Sequence, residues 1–96
     1  MHAAIDRYAR TSGSLDDLAE AGYVLGTRLS RAPGFVAALS ILAEPDDLIT
    51  IRLFQDQATL ESAGHLVTVW ATEYPVSLAS GVTEMASGEL VAQKGL

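Results

Sequence analysis

The sequence predicts an α+β fold whose elements run in the order β-α-β-β-α-β. Three observations carry this. Two segments, 14–31 and 57–74, repeat apolar residues at helical spacing. Two apolar, β-branched runs, 35–43 and 48–54, are joined by a short acidic turn, which predicts an antiparallel hairpin. Shorter strand candidates, 3–9 and 88–94, stand at the two ends. Strand, helix, hairpin, helix and strand make the ferredoxin-like split βαβ arrangement: four antiparallel strands with two helices on one face. The whole chain, 1–96, is read as one such domain.

Residues 3–9 (AAIDRYA) form the first expected strand, and 11–14 (TSGS) break it. Ser14 opens the first helix, with Asp17 three residues on as in a capping box. Asp16 and Asp17 suit the positive end of the helix dipole, and Arg28 and Arg31 the negative end. Leu15, Leu18, Gly22, Leu25 and Leu29 share one stripe, and Pro33-Gly34 stops the helix. Residues 35–42 are apolar on both faces, which reads as a central strand covered on both sides. Glu44-Pro45-Asp46-Asp47 is the turn, and 48–54 the next strand. Asp56 is a suitable N-cap for a single second helix over 57–74. Its buried stripe is Leu60, Ala63, Leu66, Val67, Trp70 and Tyr74, and Pro75 ends it. A loop through Gly81 leads to the last strand, 88–94.

The composition narrows the partners. Twelve acidic and six basic side chains give a net charge of −6. The arginines and the single lysine are scattered, so no basic stripe is offered to nucleic acid or to an anionic membrane. No run approaches the roughly 18 apolar residues of a membrane span. Asp6 and Arg7 precede any apolar stretch, an arrangement that predicts no signal peptide and a cytoplasmic protein. Without cysteine there is neither a disulfide nor a thiolate nucleophile. Apolar residues make up 49% of the chain, a surplus that suits a second buried surface, most simply a homodimer interface, as well as an alanine-rich core.

Three stretches resemble a known family. They are Pro33-Gly34-Phe35-Val36 after a leucine-striped helix; Ile51-Arg52-Leu53-Phe54-Gln55-Asp56-Gln57-Ala58; and Trp70 late in a helix, followed by Gly88-Glu89-Leu90-Val91. In order and spacing they resemble the antibiotic biosynthesis monooxygenase-like domains of the dimeric α+β barrel superfamily, especially its small bacterial members. The resemblance spans essentially the whole chain. It implies a homodimer whose sheets pack face to face, which would cover the second face of strand 35–42. Better-known members of that family oxidise polycyclic phenols with O₂, without metal or flavin, and others cleave haem.

The residues offer several candidates. Trp70 and Tyr74 lie four apart on the buried stripe and read either as the wall of an aromatic-substrate pocket or as core. Arg52 shares a strand face with Thr50 and Phe54. It reads as a charge that stabilises an enolate or phenolate, or as an exposed or dimer-pairing arginine. Trp70, Tyr74 and Arg52 are therefore the expected catalytic set. His65 falls opposite Trp70 and is expected on the surface, and His2 lies at a terminus. Tyr23 projects away from the leucine stripe, toward a pocket mouth or a subunit contact, and Tyr8 has no distinguishing feature. Haem degradation in the superfamily resembles an Asn–Trp–His arrangement, and this sequence has no asparagine, so no haem cofactor is expected; Asp16-Asp17 and Asp46-Asp47 read as a helix start and a turn, and no His/carboxylate cluster converges, so no metal is expected either. The expected partners are a second copy of the chain and a small aromatic ligand. The competing function is a non-catalytic dimer that binds a small apolar ligand or has a closed cavity.

Overall fold

The computed structural model describes residues 1–9, 15–43, 47–73, 83–92 and 94. Their elements are β1 (His2–Ala9), α1 (Leu15–Leu29), β2 (Phe35–Ala43), β3 (Asp47–Phe54), α2 (Gln57–Ser62), α3 (Gly64–Glu73) and β4 (Thr83–Glu89). The strands form one antiparallel sheet in the order β2-β3-β1-β4. This is the ferredoxin-like fold that the periodicities predict. Ser14, the turn at 44–46 and Tyr74 to Gly81 lie outside the described residues.

The helices cover one face of the sheet. Alternation along β1 sends Ala4, Asp6 and Tyr8 to that face, and along β3 it sends Leu48, Thr50, Arg52 and Phe54 there. Leu18, Ala21, Leu25 and Leu29 of α1 meet them, together with Leu60, Ala63, Val67 and Trp70. The helical side chains are at most 5% exposed and form the core with Ala4, Tyr8, Leu48 and Phe54. Asp56 caps α2 as its sequence position implies, accepting the Thr59 N–H at 2.8 Å. Those bonds hold its carboxyl below the usual carboxylate range. Asp16 and Asp17 fall in the first turn of α1 and Arg28 in its last.

Three expectations are corrected. The second helix is not continuous: it breaks at Ala63, whose N–H bonds the Thr59 carbonyl at 3.1 Å. The chain tightens there, with the Leu66 N–H on the Ala63 carbonyl at 3.0 Å. Gly64, a weak helix former, follows at the joint. The last strand is Thr83–Glu89, not 88–94. Its alanine, glycine and two glutamates have little β propensity, and Leu90 and Val91 are the more strand-like residues, yet Val91 is 89% exposed beyond the strand's end. Finally, β2 is an edge strand rather than a central one. Its Leu39 and Ile41 pair with Ile51 and Ile49 on the face without helices, and each is 47% exposed.

The turn between α1 and β2 holds the layers together. Gly34 adopts φ +79°, and a Cβ there would sit 2.5 Å from the Thr59 hydroxyl oxygen at the start of α2. The Gly34 carbonyl also accepts the Gln55 N–H at 2.8 Å. Gly34→Ala should therefore cost more than about 1 kcal/mol in chemical denaturation. Gly26→Ala, on α1 with open space around its Cα, should instead add roughly 0.5–1 kcal/mol. Equal effects of the two substitutions would contradict this account of the turn.

Candidate functional site

A cleft of about 390 Å³ opens between the α2–α3 joint and the sheet. Its floor is the cross-strand row Arg52, Ala4 and Ser87, which spans β3, β1 and β4. Ala4 has no side chain beyond Cβ, so the middle of the row leaves room above it. Leu60 and Gly64 face the cleft from the helix side, and His2, Gln57 and Glu61 complete its lining. The break at Ala63 places Gly64 at this point.

Behind the floor lies a polar cluster in an otherwise apolar layer. The Arg52 guanidinium donates to the Asp6 carboxylate, and their side chains are 12% and 4% exposed. Thr50 stands opposite Asp6 in the β1–β3 ladder and is also buried. The Tyr8 phenol completes the group. Burial pushes its pKa well above the ordinary tyrosine value. The Asp6 carboxylate adds to the rise, while Arg52 and the Thr50 hydroxyl oppose it. Tyr8 therefore stays a neutral hydrogen-bond donor at physiological pH. The Trp70 ring meets the Tyr8 ring edge to face, with centroids 5.0 Å apart and planes at 81°. The Trp70 N–H donates to the Ala21 carbonyl of α1 at 2.7 Å.

Of the expected catalytic set, the structure brings Arg52 to the cleft. Its strand face is the one expected, and its partner is Asp6 of the same chain rather than solvent or a second subunit. Trp70 is fully buried behind Tyr8 and does not line the cleft. Tyr74 lies outside the described residues. His65 is exposed, with Nδ1 2.6 Å from the Ser62 carbonyl oxygen. It borders a separate groove of about 480 Å³, lined also by Arg31, Pro33 and Leu66. Tyr23, 77% exposed, borders a third groove between α1 and β2. His2 is not a loose terminal residue: it belongs to β1 and lines the cleft.

Sequence reasoning missed Asp6 and the role of Tyr8. The signal was present as an acid at an inward position of β1, with Arg52 at an inward position of the strand paired to it. Among the described residues no group of three or more His, Asp or Glu side chains converges to hold a metal ion. No described helix is long and apolar enough to cross a membrane. The Trp–His pair expected of a haem site does not assemble, because Trp70 is closed into the core and His65 is exposed on the surface.

Solved structures of similar shape place this architecture. A Nitrosomonas europaea protein assigned to the antibiotic biosynthesis monooxygenases superposes with a TM-score of 0.77 at 10% identity, covering 96% of this chain and 100% of that one. The chain shares the fold of the antibiotic biosynthesis monooxygenase-like domains. SnoaB of Streptomyces nogalater, a cofactor-independent oxygenase, gives a TM-score of 0.71 at 12% identity over 96% of this chain and 97% of its own. The haem degrader MhuD of Mycobacterium tuberculosis gives 0.74 at 13% identity over 99% and 100%. No family model matches the sequence, and no curated protein matches it either.

Two measurements test the cluster. Arg52→Ala leaves the Asp6 carboxylate buried without its partner and should cost about 3–5 kcal/mol. The double variant Asp6→Ala/Arg52→Leu should recover much of that loss; a double variant as unstable as the single would show that the pair contributes mainly through packing. The second measurement follows Tyr8. Its folded pKa lies above that of the unfolded chain, so its contribution to stability is complete below pH 10 and declines as pH rises further. In alkaline denaturation, Tyr8→Phe should flatten the loss of stability above pH 10 relative to wild type.

Proposed function

We propose that the protein is a homodimeric, cofactor-independent oxygenase acting on an aromatic or polyketide-like small molecule. The observation that carries this reading is the cleft between helices and sheet with a buried, paired arginine at its floor. The fold it shares with a cofactor-independent oxygenase supports the same reaction class.

The chemistry asks for little machinery. An anthrone-like substrate carries a methylene group beside activated rings. Loss of one methylene proton gives an enolate-type anion, and O₂ reacts with that anion. The methylene becomes a carbonyl, one oxygen atom is retained, and the other leaves as water. The protein must hold the ring and favour the anion. Arg52 lies where a developing oxyanion can share its charge, in surroundings poor in water. The His2 imidazole, on the cleft lining, can accept the proton. Trp70 sets the position of the inner wall through its contact with Tyr8, and Tyr74 is proposed to orient the substrate with it.

One observation favours a second reading. Arg52 already has a partner in Asp6, and Trp70 is closed into the core, as suits a dimer that only binds a small apolar ligand. Oxygen uptake with a panel of anthrones and hydroquinols separates the two. The oxygenase reading expects uptake above the uncatalysed rate, lowered about 10²-fold by Arg52→Gln. No uptake across the panel would leave the ligand-binding dimer.

The dimer is proposed to form through the face without helices. Leu39, Ile41, Ile49 and Ile51 form a two-strand apolar patch there. A second copy of the sheet would cover it. Light scattering at micromolar concentration should give the dimer mass, and Ile41→Lys should give the monomer. A monomeric wild type would refute the assembly.

A further inference from the structure

We propose that the groove between the end of α1 and the α2–α3 joint binds an aliphatic monocarboxylate, with Arg31 holding the carboxylate. The site is separate from the cleft: among the described residues none lines both cavities. It stands whether or not the cleft is an oxygenase site.

Shape and lining come first. The groove has a volume of about 480 Å³, within the roughly 300–1,000 Å³ of small-molecule sites. The α1–β2 turn supplies Ala32 and Pro33, and the α2–α3 joint supplies Ala63 and Leu66. No Phe, Tyr or Trp is among the described lining residues. An alkyl chain fills such a surface, whereas a planar ring system would find no ring to stack on. The two walls are fixed to each other. The Ala32 N–H bonds the Leu29 carbonyl at 3.0 Å, which ties the first wall to α1. Gly34, next to Pro33, packs on Thr59, which also lines the groove. The groove is therefore formed before a ligand arrives, and little ordering is needed on binding.

Charge decides the head group of the ligand. The chain carries six basic against twelve acidic side chains, yet Arg28, Arg31 and His65 line this groove and no described acid does. Arg28 pairs with Glu73, so its charge is balanced. Arg31 is exposed and takes part in none of the ion pairs among the described residues. Its guanidinium is a planar fork that matches a carboxylate with two parallel hydrogen bonds. Ser62, exposed on the same lining, adds a hydroxyl donor. The Thr59 hydroxyl is turned instead to the Asp56 carboxylate, at 2.9 Å. The acids that reach lining residues are thus both engaged, Glu73 by Arg28 and Asp56 by Thr59. His65 adds no negative charge in either protonation state.

The negative end of the α1 dipole would also favour an arginine at position 31. That role needs no apolar cavity beside the guanidinium. An alkyl carboxylate uses both features at once, burying its chain against the walls and keeping its charge at the rim.

The probes are decanoate and decyltrimethylammonium, each below its micelle concentration. They carry the same alkyl chain and opposite charges. Because the net charge of the protein is −6, its overall field favours the cation, so a preference for decanoate must come from a local site. In amide NMR spectra, decanoate should saturably shift the N–H signals of Arg31, Ala32, Ser62 and Leu66. It should bind at least about tenfold more tightly than the cation, and Arg31→Gln should weaken it by about the same factor, the effect of one charge-assisted contact. Ser62→Asp, which adds an acid to the lining, should abolish binding. Both positions are exposed, so the fold tolerates both changes. No saturable shift, an equal response to the two probes, decanoate affinity unchanged by Arg31→Gln, or shifts centred on Ala4, Arg52 and Ser87 of the cleft would overturn the proposal.

Discussion

The Asp6–Arg52 ion pair constrains the rest of the architecture. Two opposite charges sit between the helices and the sheet, where the other packed side chains are almost all apolar. Neither charge can be left without the other at tolerable cost. The pair is diagonal across β1 and β3, with Ala4 opposite Arg52 and Asp6 opposite Thr50. A one-residue slip of β3 would carry Arg52 to the outer face and leave Asp6 buried alone. The register of the central strand pair is therefore held by electrostatics as well as by the apolar pattern. That register also places Ala4 beside Arg52, which creates the floor of the cleft.

The helix layer is fixed over this pair by directional contacts. The Trp70 N–H bonds the Ala21 carbonyl, which ties α3 to α1, while the Trp70 ring rests on Tyr8 of β1. At the other end, Asp56 caps α2 through Thr59, and Thr59 in turn packs against Gly34 in the α1–β2 turn. The break at Ala63 lies between these two anchors. A continuous helix would direct the two segments along one axis. The broken one lets Leu60 and Gly64 face the cleft while Val67 and Trp70 enter the core.

The parts legible in the sequence were those with a strong local period or a strong local cap. The leucine stripe of α1, the Asp56 cap, the Pro33-Gly34 stop and the β-branched run of β3 each carry their own signal. Thr83–Glu89 carried none, because an edge strand with small and polar residues owes its place to pairing with β1. The break at Ala63 was hidden because Leu60, Ala63, Val67 and Trp70 keep a helical spacing across it and are all buried. The site was harder for a related reason. Arg52 could be assigned to the correct strand face, but its partner lies 46 residues away. Only the β1–β3 register, a non-local fact, turns an acid in one strand and a base in another into a pair.

The same cluster is not the arrangement that stability alone would select. A core optimised only for stability would replace these four polar side chains with apolar ones of similar shape. Here the ion pair is kept, and its place in the chain is explained by what it specifies: with Asp6 and Arg52 diagonal across β1 and β3, only one register of the two strands leaves both charges partnered. An apolar pair at the same two positions would be satisfied by any register that kept the inward face apolar, so it would stabilise the sheet without choosing among its alignments.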